Sequence, residues 1–284
     1  MKHNLLFVFL LSIPFSAFAQ QKCTIIYVVS EGFIIESGTS KIMIDALPSL
    51  RFLKKQNVPQ SVIDSMHNAG YPFNNIDIAF VTHCHHDHFD PNLVVTFMLE
   101  SENTTLVCTQ QVYNIIKVLG GYYSIKHRIY TISEQNHQVE WHSANGYSFK
   151  SLPLTHGAYM ELDTLTGKKV NRHAHIQHTG YVIKINDITV LHTGDNHLLP
   201  KEKYAQFLLR NDSIDIAFFE SLFWGRKRFP ERQFVVDSLI GAKYNVIMHL
   251  NMGDDLSWVK TELRETYPEI VHFSYPLEVK EFDL

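Results

Sequence analysis

The chain has 284 residues, 45% of them apolar and 19% charged, with a formal net charge of -4. That balance allows a sizeable core and offers no field of the kind that draws nucleic acid or an anionic membrane surface. Three scattered cysteines, Cys23, Cys84 and Cys108, make no disulfide framework, although one bridge stays open in an oxidising compartment; histidine, at 17 residues, is the abundant reactive side chain.

Met1-Lys2-His3 is a short basic start, residues 5–13 form an apolar run without a charge, and Ser16-Ala17-Phe18-Ala19-Gln20 supplies a small-x-small cleavage pattern. These are the parts of a secretory signal peptide cut after Ala19. Residues 1–19 are therefore read as a leader and 20–284 as a single mature domain, periplasmic or secreted. The apolar run is too short for a comfortable membrane span. Gln20-Gln21-Lys22 is also not the small, apolar lead of a lipid-modified Cys23. No stable membrane association is expected once the leader is removed.

Residues 24–29, 32–36 and 41–44, separated by Ser30-Glu31 and Ser37-Gly38-Thr39-Ser40, predict an antiparallel meander ending on Asp45. The spacing of Val62, Ile63 and Met66 predicts a helix over 59–69, stopped by Gly70. The β-branched, apolar run 76–81 predicts a buried strand. It leads into Thr82-His83-Cys84-His85-His86-Asp87-His88-Phe89-Asp90, after which Asp90 and Pro91 cap and open a helix. A strand over 105–108, a helix over 110–119 closed by Gly120-Gly121, and β segments at 129–132, 139–142 and 147–152 follow. Residues 180–185 and 188–192 predict a hairpin over Asn186-Asp187. Helices at 200–209, 231–240 and 256–266 then alternate with strands at 214–219, 246–249 and 271–273. A β-rich first half, an alternating second half and no internal repeat predict two sheets packed together with helices outside.

The histidine-rich stretch sits at the end of a strand, where α/β proteins usually bind their ligands. Three later stretches share that placement: Leu152-Pro153-Leu154-Thr155-His156-Gly157, Val190-Leu191-His192-Thr193-Gly194-Asp195-Asn196 and Val246-Ile247-Met248-His249-Leu250-Asn251. A His-x-His pair can aim two imidazoles at one ion, and an Asp-His pair two residues on can serve a second. No Gly-x-Ser-x-Gly elbow, Walker loop or His-Glu-x-x-His helix competes with this constellation.

On these residues the chain resembles the metallo-β-lactamase superfamily of metal-dependent hydrolases. The family's His-x-His-x-Asp-His motif is matched by His83, His85, Asp87 and His88. Its later His, bridging Asp and last His are matched by His156, Asp195 and His249. Asp45 is similar to the structural Asp behind the family's metal loop. The resemblance covers essentially the whole mature chain and implies an α+β fold, an αββα four-layer sandwich with the metals in a groove at one edge of two sheets. It implies that His83, His85 and His156 hold a first ion, Asp87, His88 and His249 a second, and that Asp195 bridges them. Asp87 and Asp195 are the expected catalytic carboxylates. The bridging Asp resembles the lactonase, thioesterase and phosphodiesterase branches and argues against β-lactam hydrolysis.

Two divalent ions roughly 3.5–4 Å apart can hold a hydroxide that attacks a carbonyl carbon or phosphorus. The expected activity is therefore hydrolysis of a small-molecule ester, lactone or thioester by an exported enzyme. A phosphodiesterase, or a mono-iron sulfur dioxygenase-type oxidoreductase, stands as the alternative. Zinc is the expected metal, and Mn or Fe would fit the same ligands. Cys84 and His86 fall in the variable positions of the motif and are not expected to ligate. His173, His175 and His178 read as a solvated His-rich loop, with the substrate cleft as the other reading. His197, Tyr159 and Tyr181 are candidates to touch substrate, Phe223 and Trp224 to wall the groove, and Arg226-Lys227-Arg228 to meet an anionic group. Oligomeric state is not legible.

Overall fold

Side-chain alternation in the opening strand decides where it lies. In the computed structural model, which describes residues 22–133, 139–196, 200–224, 229–251 and 253–284, β1 (Lys22–Val29) turns Ile25 and Tyr27 to one core and Ile26 and Val28 to another. A strand apolar on both faces must be covered on both. Along the first half follow β2 (Gly32–Ser37), β3 (Ser40–Ile44), α1 (Leu50–Lys55), α2 (Gln60–His67), β4 (Ile78–Phe80), α3 (Pro91–Glu100), β5 (Thr105–Thr109), α4 (Gln110–Ile116), α5 (Tyr122–Ile125) and β6 (Ile129–Ile132). The second half runs β7 (Glu140–Ala144), β8 (Tyr147–Leu152), β9 (Met160–Leu162), β10 (Lys169–Asn171), β11 (Gly180–Ile185), β12 (Ile188–His192), α6 (Lys201–Gln206) and β13 (Ile216–Glu220). It closes with α7 (Phe229–Phe234), β14 (Tyr244–Met248), α8 (Arg264–Thr266), β15 (Val271–His272) and β16 (Val279–Asp283).

The strands form two seven-stranded sheets, ordered β16-β1-β2-β3-β4-β5-β6 and β15-β14-β13-β12-β11-β8-β7, with β9 and β10 as a separate pair. Each sheet is antiparallel on one side and parallel on the other, the change falling at β3–β4 in the first and β12–β13 in the second. Ile25, Phe33, Ile44 and Phe80 meet Phe149, Tyr181, Val190 and Phe218 between the sheets. Behind the first sheet, Ile34 and Met43 pack on Leu53, Met66, Leu93 and Phe97 of the helices; behind the second, Ala217, Phe219 and Ile247 pack on Tyr204, Val235 and Val259. This is the four-layer αββα arrangement. Each fully buried aliphatic or aromatic side chain contributes ~1.5–3 kcal/mol, and these three cores carry the cost of the charged groups buried at one sheet edge.

The meander, the buried strand before the histidines, the helix at Pro91 and the hairpin at Asn186-Asp187 fall where the sequence predicts them, to within one or two residues at most ends. Other features differ. β16 closes the first sheet by pairing antiparallel with β1, Lys22 standing opposite Asp283. Its sequence, Val279-Lys280-Glu281-Phe282-Asp283, hides an edge strand behind charges, the usual protection of an exposed edge. α1 was not expected; Ser49 caps it by accepting from the Phe52 amide. The helices predicted over 231–240 and 256–266 each contain a wider π-turn, at Val235–Ile240 and Val259–Leu263. The expected contrast between halves is absent, since both sheets use the same mixed pattern. All three cysteines are unpaired, Cys23 facing the core between the sheets and Cys108 the outer core of the first. Residues 1–19, read as a leader, lie outside the described residues, as do His197 and Arg226-Lys227-Arg228. No described helix is long and apolar enough to cross a membrane.

Candidate metal centre

The loop after β4 is held in shape by Asp45, the residue that ends β3. Asp45 sits at φ +47°, a left-handed conformation that Asp tolerates better than most residues. Its buried carboxylate accepts from the Thr82 amide at 2.8 Å, the Thr82 hydroxyl at 2.6 Å and His88 Nδ1 at 2.9 Å. Because the Thr82 hydroxyl donates to Asp45, it accepts from His83 Nδ1 at 3.0 Å. One carboxylate therefore places the protons of both imidazoles on Nδ1 and leaves both Nε2 lone pairs facing inward. At its far end the loop is fixed by Asp90, which accepts from the Asn92 and Leu93 amides and caps α3.

The second sheet brings its groups to the same edge. Thr193-Gly194-Asp195 follows β12, His249 follows β14, and the Thr179 amide donates to the Thr82 carbonyl across the seam. Gly194 has φ +54°, and a Cβ there would stand 2.5 Å from His178 Nε2 and 3.0 Å from Thr82 Cβ, so this turn needs glycine. His156 Nδ1 donates to the Gly157 carbonyl at 2.8 Å, which again turns Nε2 inward.

Two groups of possible ligands result. His83, His85, His156 and Asp195 bring donor atoms within 4.8 Å of one another; so do Glu31, His88, Asp195 and His249. Asp195 belongs to both. Its Oδ2 stands 3.1 Å from His156 Nε2 and 3.6 Å from His83 Nε2, while its Oδ1 stands 3.1 Å from His88 Nε2 and 3.8 Å from His249 Nε2. Asp87 lies at the rim of the second group, 3.5 Å from His249 Nε2 and 3.9 Å from His88 Nε2. All seven residues matched by the sequence motif thus meet at one edge. Glu31, which the sequence reading passed over, sits among them.

The buried Nε2 atoms of His83, His88 and His156, and Asp195 Oδ1, make no hydrogen bond among the described residues. Imidazole nitrogens facing carboxylate oxygens at about 3 Å need a proton or a cation between them, and a convergent set of imidazoles and carboxylates fits divalent ions in that place. The first group, three imidazoles and a carboxylate, suits zinc; the second is richer in oxygen. Titration in the ion-free protein reflects the same crowding. Burial and the charge on His88 push His83 well below the ordinary imidazole range, and burial with His156 and His173 brings His85 down to about 4. Burial opposes charge on His88 and His249. The surrounding carboxylates, Asp195 foremost, nevertheless hold His88 well above its ordinary value and His249 up at about 9. Asp195 itself stays well below the carboxylate range, burial being outweighed by His88 and His249. Burial and the Asp195 charge push Glu31 well above that range, and Glu220, 3.8 Å from His249 Nδ1, to about 8.

The His-rich loop is not simply solvated. His173 is half-buried with its Nδ1 3.0 Å from His156 Nδ1 and its ring 4.7 Å from that of His85. His178 is buried 5.2 Å from the His83 ring and driven to about 3 by burial. His175 is exposed, as expected. Tyr181 is excluded as a substrate contact, because it is fully buried with its hydroxyl donating to the Val81 carbonyl at 3.1 Å. Tyr159 is exposed, its ring 5.5 Å from His173. Cys84 donates to Gln111 Oε1 and His86 is exposed, both away from the two groups. Trp224, Leu222, Leu250, Leu256 and Trp258, with Asp254 and Asp255, line a cleft of about 540 Å³ whose wall includes the residue after His249. Phe223 is instead fully buried in the outer core of the second sheet.

Residues 40–266 match the family described as the beta-lactamase superfamily domain. No curated protein sequence matches the chain. Among solved structures, the metallo hydrolase Igni18 of Ignicoccus hospitalis is 17% identical with a TM-score of 0.58, covering 93% of this chain and 99% of its own. The metallo-beta-lactamase fold protein YhfI of Bacillus subtilis is 14% identical with a TM-score of 0.57, covering 92% of this chain and 100% of its own. An isothiocyanate hydrolase from Delia radicum gut bacteria is 15% identical with a TM-score of 0.57, covering 92% and 100%. At such identities the likeness is one of fold.

Proposed function

The chain belongs to the beta-lactamase superfamily of metal-dependent hydrolases, and on that premise we propose that it is a dinuclear enzyme cleaving a small ester, lactone or thioester. The observation that carries the proposal is Asp195, whose two oxygens each face a different group of imidazoles. His83, His85 and His156 would hold one divalent ion, His88, His249 and Asp87 the other, with Asp195 shared. Such ions acidify water toward neutrality and polarise the bond to be cleaved.

The chain's own residues do the rest. Asp45 and Thr82 keep His83 and His88 in the tautomer whose Nε2 can donate a lone pair. Asp87, kept ionised against its burial by His249, would offer the second position a charged oxygen donor from the rim of the site. The cleft beside His249 is walled by Trp224, Trp258 and leucines and carries Asp254 and Asp255. An apolar wall with negative charge favours a neutral acyl or lactone group over a phosphodiester. Export is part of the same proposal and rests on the sequence of residues 1–19.

Elemental analysis of the purified mature protein, followed by ester, lactone, thioester and phosphodiester panels, tests this reading. About two zinc, manganese or iron ions per chain are expected, with hydrolysis lost in Asp195→Ala while the fold persists. Activity surviving that substitution refutes the mechanism. One iron per chain with oxygen uptake on thiol substrates would replace it by the oxidoreductase alternative. An N-terminus at Gln20 on material secreted by the native host checks export.

A further inference from the structure

Glu31 lies in the two-residue turn between β1 and β2, fully buried, and neither of its carboxylate oxygens has a hydrogen-bond partner among the described residues. A carboxyl group buried without donors is costly to ionise, and a cation among the groups beside it is what would let it carry its charge there. The neighbouring groups are those of the second cluster: its Oε2 stands 3.4 Å from His88 Nδ1, and its donor atoms fall within 4.8 Å of those of His88, Asp195 and His249. Holding His88 does not explain it. The single Nδ1 proton of that ring is already given to Asp45 at 2.9 Å.

The backbone around Glu31 is clamped from both sheets. His192 Nδ1 accepts from the Gly194 amide, so its Nε2–H donates to the Glu31 carbonyl at 3.1 Å. The His249 amide donates to the Ser30 carbonyl at 2.9 Å. Gly32 allows the turn to press on the segment of Asp45, where a Cβ would come within 2.9 Å of the Asp45 carbonyl. Glu31 and His249 therefore sit on backbone segments bonded directly to each other.

We propose that Glu31 is an additional carboxylate donor to the second ion, giving that position three carboxylates, Glu31, Asp87 and Asp195, beside two imidazoles. The assignment rests on the two-ion reading of the site and goes beyond the motif that suggested it. Its consequence is an asymmetric centre. The first position, with three imidazoles, prefers zinc. The second, rich in oxygen and negative charge, admits the harder Mn²⁺ or Fe²⁺ more readily than a His-dominated site would.

The test uses the full mature chain, stripped of metal by chelation, in wild-type and Glu31→Gln forms. Each is titrated with Zn²⁺ and with Mn²⁺ by calorimetry, with bound metal counted by elemental analysis and stability followed by thermal melting. Wild type is expected to take up about two ions. Glu31→Gln is expected to keep the first zinc and to bind the second ion at least about tenfold more weakly, the loss being larger for Mn²⁺. Without metal the variant should melt close to wild type, since a neutral amide replaces a carboxyl group that burial and the Asp195 charge already keep from ionising. Unchanged affinity for the second ion overturns the assignment. A metal-free variant that melts lower and loses both ions equally also overturns it, by making Glu31 a structural residue. Should Glu31→Gln not fold, Glu31→Asp decides, because it keeps the charge and withdraws the donor; undiminished uptake of the second ion there refutes the assignment. A wild-type chain that takes up a single ion sinks the two-ion reading itself.

Discussion

Replacing Asp45 by Asn tests how the site is organised, because Asn tolerates the same φ of +47° and nearly the same volume, leaving only the chemistry changed. The amide oxygen can still accept from the Thr82 N–H. Its NH₂ group then faces two donors, the Thr82 hydroxyl and His88 Nδ1–H. To accept from that NH₂, the Thr82 hydroxyl must turn its own proton toward His83 Nδ1, and His88 must also lose its Nδ1 proton. Both rings are driven to the tautomer with hydrogen on Nε2, the atom that faces Asp195. Two hydrogen bonds to a charged acceptor are lost, each worth about 1.5–3 kcal/mol; removal of the buried charge offsets part, leaving about 3 kcal/mol. For a domain of this size that corresponds to a fall of roughly 6–12 °C in melting temperature. Affinity for metal should drop about 10–100-fold at both positions, as is usual when partners that orient ligands are removed. Urea and thermal melts of the metal-free protein, with zinc titrations beside them, measure both. Stability within about 1 kcal/mol of wild type together with unchanged zinc affinity would refute the relay from Asp45 through Thr82 to His83.

Gly194→Ala should be more damaging than its size suggests. The left-handed φ and the 2.5 Å approach to His178 Nε2 force a shift in the residue before Asp195; stability should fall by about 1–3 kcal/mol, and hydrolysis should fall with it, as melts and kcat will show. The pH dependence of metal uptake follows from the raised pKa values of His88 and His249, the latter about 9. In the ion-free protein both hold protons at neutral pH, so uptake releases protons and apparent affinity should rise from about pH 6.5, the ordinary imidazole value, to pH 9. Over that window the ion-free protein should lose stability, because a group with a raised folded pKa stabilises below its unfolded value and ceases to as it deprotonates. Calorimetry in buffers of different ionisation enthalpy checks the proton release, and affinity independent of pH would contradict it.

What the sequence revealed of this site, and what it hid, divides along one physical line. His83, His85, Asp87 and His88 are contiguous and follow a strand whose direction is plain, so their convergence is a local property. His156, Asp195 and His249 were legible because each also ends an apolar strand, and parallel strands such as β12 to β14 deliver their ends to one edge. Glu31 was not legible. It looks like an ordinary turn residue, and only the packing of the β1–β2 turn against β12 and the end of β14 buries it. His173 and His178 were read as part of a solvated loop, with the cleft as the other reading, for a similar reason, since a loop of polar residues carries no signal of which side chains the second sheet will cover. β16 shows the converse, an edge strand whose charges mimic a solvated tail.

The placement of the site has a consequence for folding. Glu31, His83, His85, Asp87 and His88 come from the first sheet or its loops, and His156, Asp195 and His249 from the second. Each group of possible ligands draws on both, so ions taken up there would tie the sheets together at an edge where the apolar core between them gives way to buried charge. Without a cation that edge carries buried imidazoles and carboxylates crowded together, held in place by backbone bonds such as His249 to Ser30 and Thr179 to Thr82. Metal affinity and the cohesion of the two sheets are then one free energy seen from two sides. The residues that hold the ligands rigid, Asp45 and Gly194 among them, are the ones through which the fold prepares the site before any ion arrives.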